Sequence, residues 1–425
     1  MATLEAARTS ELVRVATAGS VDDGKSTLIG RLLFETEQIL EDQLEHLERT
    51  SRERGDTYVN LALLTDGLRA EREQGITIDV AYRYFHTPAR KFVLADTPGH
   101  EQYTRNMVTG ASTADVALIL LDARRGVLEQ TRRHAVIASL LRIPHVLVCV
   151  NKMDLVRFDQ SVFQELVEDF SHAAARLDLN DVTFVPISAL HGDNVVERSP
   201  RMDWYEGPAL LDWLDGLEVA SDRNLDDLRF PVQWVVRPMS DEHHDYRGYA
   251  GQVASGIVRP GDEVVVLPSG HDTRVEAVET ADGPLDEAFP PLSVTVRLED
   301  DIDVSRGDLI AARDDAPVSA RSLEATVCWM SDRPLSAASR LRLKHTTRTV
   351  PARVEAVDGR IGMATLDEED SDQLGLNDVG RVRLRLGQPI LADPYERNRA
   401  TGSFILIDDA TNETAGAGMV TSAEE

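Results

Sequence analysis

A phosphate-loop motif between a strand pattern and a helix pattern constrains the fold of this chain most strongly. The motif Gly-x-x-x-x-Gly-Lys-Ser occupies residues 19–26. The apolar run at 12–18 predicts a buried strand before it, and residues 25–33 predict a helix after it. Such a unit cradles a phosphate chain, because loop N–H groups and the helix dipole point at the anion. The presence of both flanking elements disfavours the alternative, a glycine-rich turn that matches by chance.

The loop residues have the types that phosphate chemistry requires. Gly19 and Gly24 permit backbone conformations and a close approach that a Cβ would obstruct. Lys25 is expected to reach the β- and γ-phosphates, and the Ser26 hydroxyl is expected to ligate Mg²⁺. The predicted phosphate contacts of this loop are Gly19, Ser20, Val21, Asp22, Asp23, Gly24, Lys25, Ser26 and Thr27.

A second phosphate-contacting segment follows the apolar run at 91–95. It consists of Asp96, Thr97, Pro98 and Gly99. Asp96 is expected to hold Mg²⁺ through a water, and the Gly99 N–H to bond the γ-phosphate. The segment would relax when that phosphate leaves, which makes it a switch. Alone this pattern is more typical of a turn, but after a phosphate loop it indicates a site.

Two more residues have a functional and a structural interpretation. Thr77 is the candidate second Mg²⁺ ligand, and its alternative is the start of an ordinary strand. His100 is the candidate for orienting the attacking water, and its alternative is a surface residue at a helix start. The charged insertion at 35–75 is either a surface helical excursion or a switch loop, and the neighbouring motifs favour the switch.

Two motifs after later strands predict guanine recognition. The Asp154 carboxylate can accept hydrogen bonds from guanine N1–H and N2–H₂, which adenine does not offer. Asn151 can bond the base edge while the Lys152 stem covers its face, and the segment 188–190 can donate a backbone N–H to guanine O6. The predicted guanine contacts are Asn151, Lys152, Met153, Asp154, Ser188, Ala189 and Leu190. With the phosphate loop they predict GTP and Mg²⁺ as cofactors.

Length, charge and cysteine content narrow the class of protein. The chain has 425 residues, enough for about three domains. The formal net charge of -28 argues against a protein that holds nucleic acid through its phosphates. Two cysteines exclude a disulfide framework and fit a reducing compartment. Because no apolar run approaches about 18 residues, we expect a cytoplasmic protein without a membrane span.

Near residue 222 the sequence pattern changes from alternating strands and helices to strands alone. Residues 1–222 are predicted to form a P-loop GTP-binding α/β domain with a mostly parallel sheet and helices on both faces. Its candidate strands are 12–18, 79–86, 91–95, 116–121, 145–150 and 182–186, and its candidate helices are 25–33, 101–110, 129–141, 160–176 and 208–216. Strands with Gly and Pro corners then predict two β-barrels, at 223–318 and 319–408. The Gly-, Ala- and Thr-rich residues 409–425 are expected to form a disordered tail.

Cationic strand patterns occur in the second barrel, at 340–353 and 381–385. Apolar and basic residues alternate there, which is typical of half-buried strands with a basic outer face. Either this face is simply solvated, or it meets an acidic partner.

These residues resemble the translation-factor class of GTPases, a G domain followed by two β-barrels as in elongation factors. The segments 19–32, 66–85, 96–110, 122–134 and 343–350 are similar to one branch in particular. That branch is the large, GTP-hydrolysing subunit of bacterial heterodimeric sulfate adenylyltransferases (ATP sulfurylases). Ser20 and Asp23 stand where most of the wider class has histidines.

The resemblance implies a coupled reaction. A small partner subunit of the ATP-pyrophosphatase type makes adenosine 5′-phosphosulfate and pyrophosphate from ATP and sulfate, and the large subunit couples GTP hydrolysis to it. In family terms Val21 and Ile76 flank the catalytic water as an apolar gate, and His100 aims it. Lys25 and Thr77 complete the catalytic set, and no arginine finger is assigned. Since no second phosphate-loop motif occurs, we expect no adenylylsulfate kinase activity on this chain.

Two other functions have the same architecture. A translation-type carrier would deliver an aminoacyl-tRNA or a release factor to the ribosome, but Ser20, Asp23 and the strong acidity disfavour it. A nucleotide-gated scaffold without a catalytic partner would not need the intact set of Lys25, Ser26, Thr77, Asp96 and His100.

Overall fold

The computed structural model describes residues 12–54, 59–64, 79–100, 103–177, 179, 181–219, 222–238, 246–363 and 365–425. The chain forms two compact units. Residues 10–219 make up most of the first, and residues 220–361 with 368–425 make up most of the second.

The first unit is an α/β domain. Its strands are β1 (Leu12–Ala18), β2 (Ala81–His86), β3 (Lys91–Asp96), β4 (Val116–Asp122), β5 (His145–Asn151) and β6 (Val182–Pro186). Its helices are α1 (Lys25–Glu35), α2 (Glu41–Arg54), α3 (Thr104–Ala111), α4 (Glu129–Leu140), α5 (Gln160–Arg176) and α6 (Leu210–Gly216). Short 3₁₀ turns occupy Leu61–Leu64, Met153–Val156 and Pro200–Met202.

The sheet of this unit places the predicted motifs at one edge. Among the described residues the strand order is β2-β3-β1-β4-β5-β6, and every pair is parallel except β2 with β3. Central strand β4 is buried along its whole length, as expected for a strand covered on both faces. Parallel strands bring their carboxyl ends together, so the segments that follow β1, β3, β4, β5 and β6 converge.

The insertion between α1 and β2 is helical where the structure describes it. It contains α2 and the turn Leu61–Leu64, and Leu47 and Leu61 are both buried. Leu61 packs on Gly30 of α1, where a Cβ would overlap the Leu61 backbone. The insertion therefore does have a core face, which the sequence pattern did not indicate. The predicted switch residues Ile76 and Thr77 lie outside the described residues.

The first barrel follows in the second unit. Its strands are β7 (Arg229–Val236), β8 (Gly248–Gln252), β9 (Glu263–Leu267), β10 (His271–Thr280), β11 (Gly283–Leu285), β12 (Ser293–Leu298) and β13 (Leu309–Ala312). In the part of the chain that the structure describes, six of them close a ring in the order β10-β12-β8-β7-β13-β9, with β9 pairing back to β10. Inward valines such as Val264, Val266 and Val296 fill its core.

The second barrel closes in the same way. Its strands are β14 (Val318–Trp329), β15 (Leu335–Ser336), β16 (Arg340–His345), β17 (Arg348–Ile361), β18 (Glu368–Glu369), β19 (Gln373–Leu374), β20 (Val379–Ala392), β21 (Ser403–Ile407) and β22 (Thr414–Glu424). Over the described residues the ring runs β16-β21-β22-β14-β20-β17, and β16 pairs with β17 to close it.

The prediction of a disordered tail at 409–425 was wrong. Residues 414–424 form β22, which pairs with both β14 and β21 and so completes the ring. Two of the glycines that suggested disorder are required because aromatic rings lie close to them. Gly416 contacts Trp329, and a Cβ on Gly418 would overlap the Phe404 ring.

Gly418→Ala is expected to destabilise the protein by about 1–3 kcal/mol, because the added methyl must displace the Phe404 ring inside a packed barrel. The matched control is Gly387→Ala in the same barrel, where a Cβ meets only Pro351 at ordinary contact distances of 3.4–3.6 Å. Urea unfolding of both variants measures the difference. Equal midpoints for the two variants would contradict this account of β22.

No helix within the described residues is long and apolar enough to cross a membrane. Both cysteines, Cys149 and Cys328, are free and buried. Burial raises the pKa of the Cys149 thiol, so this group behaves as an inert core residue.

Candidate nucleotide-binding site

The phosphate loop joins β1 to α1 and is shaped by left-handed backbone positions. Gly24 has a φ of 99° and Asp22 a φ of 69°. A Cβ on Gly24 would overlap the side-chain amide of Asn151, so glycine is required there for space as well as for conformation. Gly24 is also the residue before α1, and the first turn of that helix carries no acidic side chain. Its first N–H groups therefore have no side-chain acceptor and are suited to an anion.

Lys25 is buried at the centre of this loop. Its Nζ donates to the Gly19 carbonyl at 2.6 Å and to the Ser20 carbonyl at 3.2 Å. Burial lowers the pKa of Lys25, while the nearby carboxylates of Asp96 and Asp23 act in the opposite direction. The loop thus holds a desolvated cation whose acceptors are backbone carbonyls, an arrangement in which a phosphate oxygen is a strong alternative acceptor.

Asp23 and Ser20, the two departures from the wider GTPase class, contact each other. The Ser20 N–H donates to Asp23 Oδ2 at 2.6 Å. Burial raises the pKa of Asp23, and the Ser20 hydrogen bond and Lys25 oppose that rise. The Ser20 Oγ and Asp23 Oδ1 atoms are buried and have no hydrogen-bond partner among the residues that the structure describes. Two polar atoms are therefore available inside the loop for a ligand or a water.

The segment after β3 packs directly on the phosphate loop. Asp96 and Thr97 are buried, and the Thr97 hydroxyl donates to the Thr17 carbonyl of β1. A Cβ on Gly99 would overlap both Lys25 Nζ and the Gly19 carbonyl. The structure thus brings Asp96, Gly99 and Lys25, three of the predicted phosphate-site residues, together.

The oxygen donors for a metal fit this pocket. Ser26 lies in the first turn of α1, and the buried Asp96 carboxylate lies close enough to Lys25 to oppose the lowering of its pKa by burial. Hydroxyl, carboxylate and phosphate oxygens are the ligands that Mg²⁺ prefers. Within the described residues no cluster of three His, Cys, Asp or Glu side chains forms an all-protein metal cage. A metal at this site would therefore take part of its coordination from phosphate and water.

Asn151 ties the base-recognition segments to the phosphate loop. Its Nδ2 donates to the Asp23 carbonyl at 2.7 Å, and its Oδ1 accepts from the Ala189 N–H at 3.0 Å. The Ser188 hydroxyl donates to Asp154 Oδ1 at 2.6 Å. The predicted guanine motifs are thus in contact, and in this structure the Ala189 N–H is engaged by Asn151.

Two residues that hold parts of the candidate site in place were not identified from the sequence motifs. Asp122, at the end of β4, accepts from Lys152 Nζ at 2.9 Å and from Arg124 Nη2 at 2.7 Å. Burial opposes the ionisation of Asp122, but the hydrogen bonds from Arg124 and Lys152 outweigh it and hold the pKa of Asp122 well below its ordinary value. Lys152 also donates to the Asp22 carbonyl. An ionised Asp122 therefore fixes the lysine stem that the sequence assigned to the base face.

Arg31 of α1 is the second residue that holds part of the candidate site in place. Its Nε donates to the Ala189 carbonyl at 3.1 Å, and its Nη2 donates to the Leu190 carbonyl. The guanidinium thereby holds the loop after β6 against the helix that starts at the phosphate loop. In the sequence, the only indication of this role is that Arg31 is a basic residue in the predicted helix that follows the phosphate loop.

The remaining predicted residues are distributed as follows. Val21 and His100 are described and partly buried, and the ring centroids of His100 and Tyr103 are 6.2 Å apart. Val21 lies in the phosphate loop, and its carbonyl accepts from Arg125 at 3.3 Å. Met153 is fully buried under the guanine motif.

Comparisons with known proteins agree with this geometry. Residues 10–221 match the family described as the elongation factor Tu GTP binding domain, and residues 322–421 match the family described as GTP-eEF1A C-terminal domain-like. A bifunctional enzyme CysN/CysC of Mycobacterium tuberculosis is 59% identical over 96% of this chain and 67% of its own length.

Two similar relatives are named sulfate adenylyltransferase subunit 1. The protein of Laribacter hongkongensis is 53% identical over 98% of this chain and 86% of its own length. The protein of Bacteroides fragilis is 52% identical over 96% of this chain and 86% of its own length. With its GTP-binding domain and two barrels, this chain belongs to the sulfate adenylyltransferase subunit 1 family.

Proposed function

We propose that this chain is the GTP-hydrolysing subunit of a sulfate adenylyltransferase. Its role is to couple GTP hydrolysis to the formation of adenosine 5′-phosphosulfate and pyrophosphate from ATP and sulfate. The observation that supports this most is the convergence of the phosphate loop, the segment 96–99 and the guanine motif, in a chain about half identical to proteins named for this activity. Its two free, buried cysteines fit the reducing cytoplasm as its setting.

Phosphate binding would move the segment that senses it. Lys25 Nζ now bonds the Gly19 and Ser20 carbonyls, and Gly99 packs against it. A γ-phosphate that takes this ammonium group as its partner competes with both carbonyls and with the position of Gly99. The Gly99 N–H then becomes a phosphate donor, and the segment 96–100 responds to whether the γ-phosphate is present.

The hydrolytic step rests on the residues around that phosphate. His100 would orient the attacking water, and Val21 with Ile76 would restrict its access to a single path. Lys25 would stabilise the charge that develops on the phosphate oxygens. Mg²⁺, held by the Ser26 and Thr77 hydroxyls and through a water by Asp96, would supply additional charge neutralisation when bound.

Base selection would come from Asp154, kept in place by the Ser188 hydroxyl. The Lys152 stem, positioned by Asp122, would lie over the guanine ring. Asn151 would transmit the position of the base to the phosphate loop, because it bonds the Asp23 carbonyl directly.

The name subunit 1 implies a second subunit, and we propose that it is a small ATP-using protein of the ATP-pyrophosphatase type. That partner would carry out adenylyl transfer to sulfate, a reaction that lies far on the side of the reactants. Coupling requires that the switch segments change the partner's states as GTP is cleaved, since a ligand acts only through differential contacts with two states.

The test is product formation by the co-expressed pair. With ATP, sulfate and Mg²⁺, adenosine 5′-phosphosulfate is expected to accumulate well above the level without GTP, and GDP is expected to appear alongside it. A non-hydrolysable GTP analogue serves as the matched control and should not raise the final yield. Equal product with and without guanine nucleotide would overturn the coupling.

A further inference from the structure

Several basic side chains on the outer face of the second barrel are neutralised within that barrel. Arg383 of β20 forms two hydrogen bonds of 3.0 Å with Asp358 of β17, so this arginine has a bidentate carboxylate partner. Three more arginines have carboxylate partners at 2.7–3.1 Å, in the pairs Arg342–Asp409, Arg360–Glu369 and Arg381–Glu368. This pairing accounts for part of the cationic strand patterns as an ordinary solvated face.

Among the basic residues that form no ion pair within the described part of the chain, three arginines lie side by side. Arg340 of β16 is directly opposite Arg353 of β17, which is directly opposite Arg385 of β20. All three are exposed, and none forms an ion pair with a residue that the structure describes. Arg385 donates a hydrogen bond of 2.5 Å to the Ser322 hydroxyl, and that hydroxyl is uncharged. We call Arg340, Arg353 and Arg385 the arginine row.

The mutual repulsion of these three charges does not stabilise the fold. Like charges directly opposite each other on neighbouring strands are destabilising. The next carboxylates along β17, Glu355 and Asp358, both act on Arg383. In a chain with a net charge of -28, a strip of three guanidiniums that form no ion pair with any described residue is a local exception.

We propose that the arginine row is a docking site for an acidic segment of the partner subunit. With strands about 4.8 Å apart, the row is about 10 Å long, so it exceeds a single phosphate and matches carboxylates spaced along an extended chain. Guanidinium groups bind such carboxylates bidentately. A nucleic acid is disfavoured, because its phosphates would meet the strongly negative remainder of the protein. The identity of the partner rests on the proposed function.

The test compares two charge-neutralising substitutions of equal size. Arg353→Gln removes the central member of the arginine row, and Arg383→Gln removes an arginine that Asp358 already neutralises. Binding of the small ATP-using subunit to each full-length variant is measured by surface plasmon resonance at several salt concentrations. Arg353→Gln is expected to weaken binding roughly three- to tenfold, mostly through slower association, and to reduce the salt dependence. A variant with all three row positions changed to Gln should lose roughly tenfold more.

The stability of the same variants separates docking from a structural role. Urea midpoints of Arg353→Gln and of the triple variant should be equal to or above that of the wild type, because a like-charge repulsion is removed. Unchanged partner affinity, or an equal loss with Arg383→Gln, would overturn the docking site. Absence of any complex with the wild-type chain would instead overturn the partner assignment in the proposed function.

Discussion

Asp154→Asn is expected to change the nucleotide preference of this protein from GTP to XTP. The substitution replaces an acceptor pair by one acceptor and one donor, at a side chain that is only 15% exposed. Guanine N1–H and N2–H₂ then lose a charged acceptor, and the new amide N–H faces the guanine amine. Xanthine carries a carbonyl oxygen at that position, which accepts from the amide. Sites that hydrogen-bond a substrate group reject analogues without it by about 10⁴, so we expect a loss of that order for GTP.

Fluorescent GDP and XDP titrations measure this change directly, and GTP and XTP hydrolysis provide a second readout. The matched control is Asp159→Asn five residues later. Asp159 caps α5 by accepting from the Ser161 N–H at 2.8 Å, a role that Asn also fills. The control should keep its preference for guanine. An Asp154→Asn protein that still prefers GDP over XDP would refute the assignment of Asp154 to the base.

Asp393→Ala is expected to destabilise the two-barrel unit by about 3–5 kcal/mol. Arg229 of β7 and Asp393, just after β20, are both buried, with exposed fractions of 0% and 1%. Arg229 Nε and Nη2 donate to the two carboxylate oxygens at 2.8 and 3.0 Å, and the Thr401 hydroxyl donates to the same carboxylate at 2.6 Å. Removal of Asp393 leaves the Arg229 guanidinium buried but without this carboxylate. Removing one partner of a buried ion pair is strongly destabilising, because the remaining charge stays desolvated.

Two comparison variants test the physical reason. Asp358→Ala removes the partner of Arg383 on the barrel surface, where half of the Arg383 side chain is exposed, and should cost less than about 1 kcal/mol. The double variant Arg229→Met with Asp393→Leu removes both charges and should recover much of the stability lost by Asp393→Ala. Urea unfolding measures all three. If Asp393→Ala and Asp358→Ala had similar midpoints, the buried pair would not be what holds the barrels together.

Local sequence patterns determined the architecture of the first unit and the edge of the sheet where its candidate site residues meet. The strands 12–18 and 182–186 and the helix 160–176 have the predicted bounds, and the other described elements differ by a few residues at their ends. This succeeds because side-chain periodicity directly reflects the burial of a strand or a helix face. The site motifs were predictable for a related reason. Each follows the carboxyl end of a parallel strand, and those ends meet at one edge of the sheet.

Tertiary structure alone decided features that depend on distant partners. Residues 414–424 look disordered by composition, yet they form a strand, because barrel closure needs a sixth strand with room for Phe404 and Trp329. Arg229 and Asp393 are 164 positions apart, and the Arg31 contact with Ala189 spans 158. Composition, spacing and periodicity describe only neighbours along the chain. The strand register across the closed barrel decides which arginines lie beside a carboxylate. It also places the arginine row side by side on the exposed face.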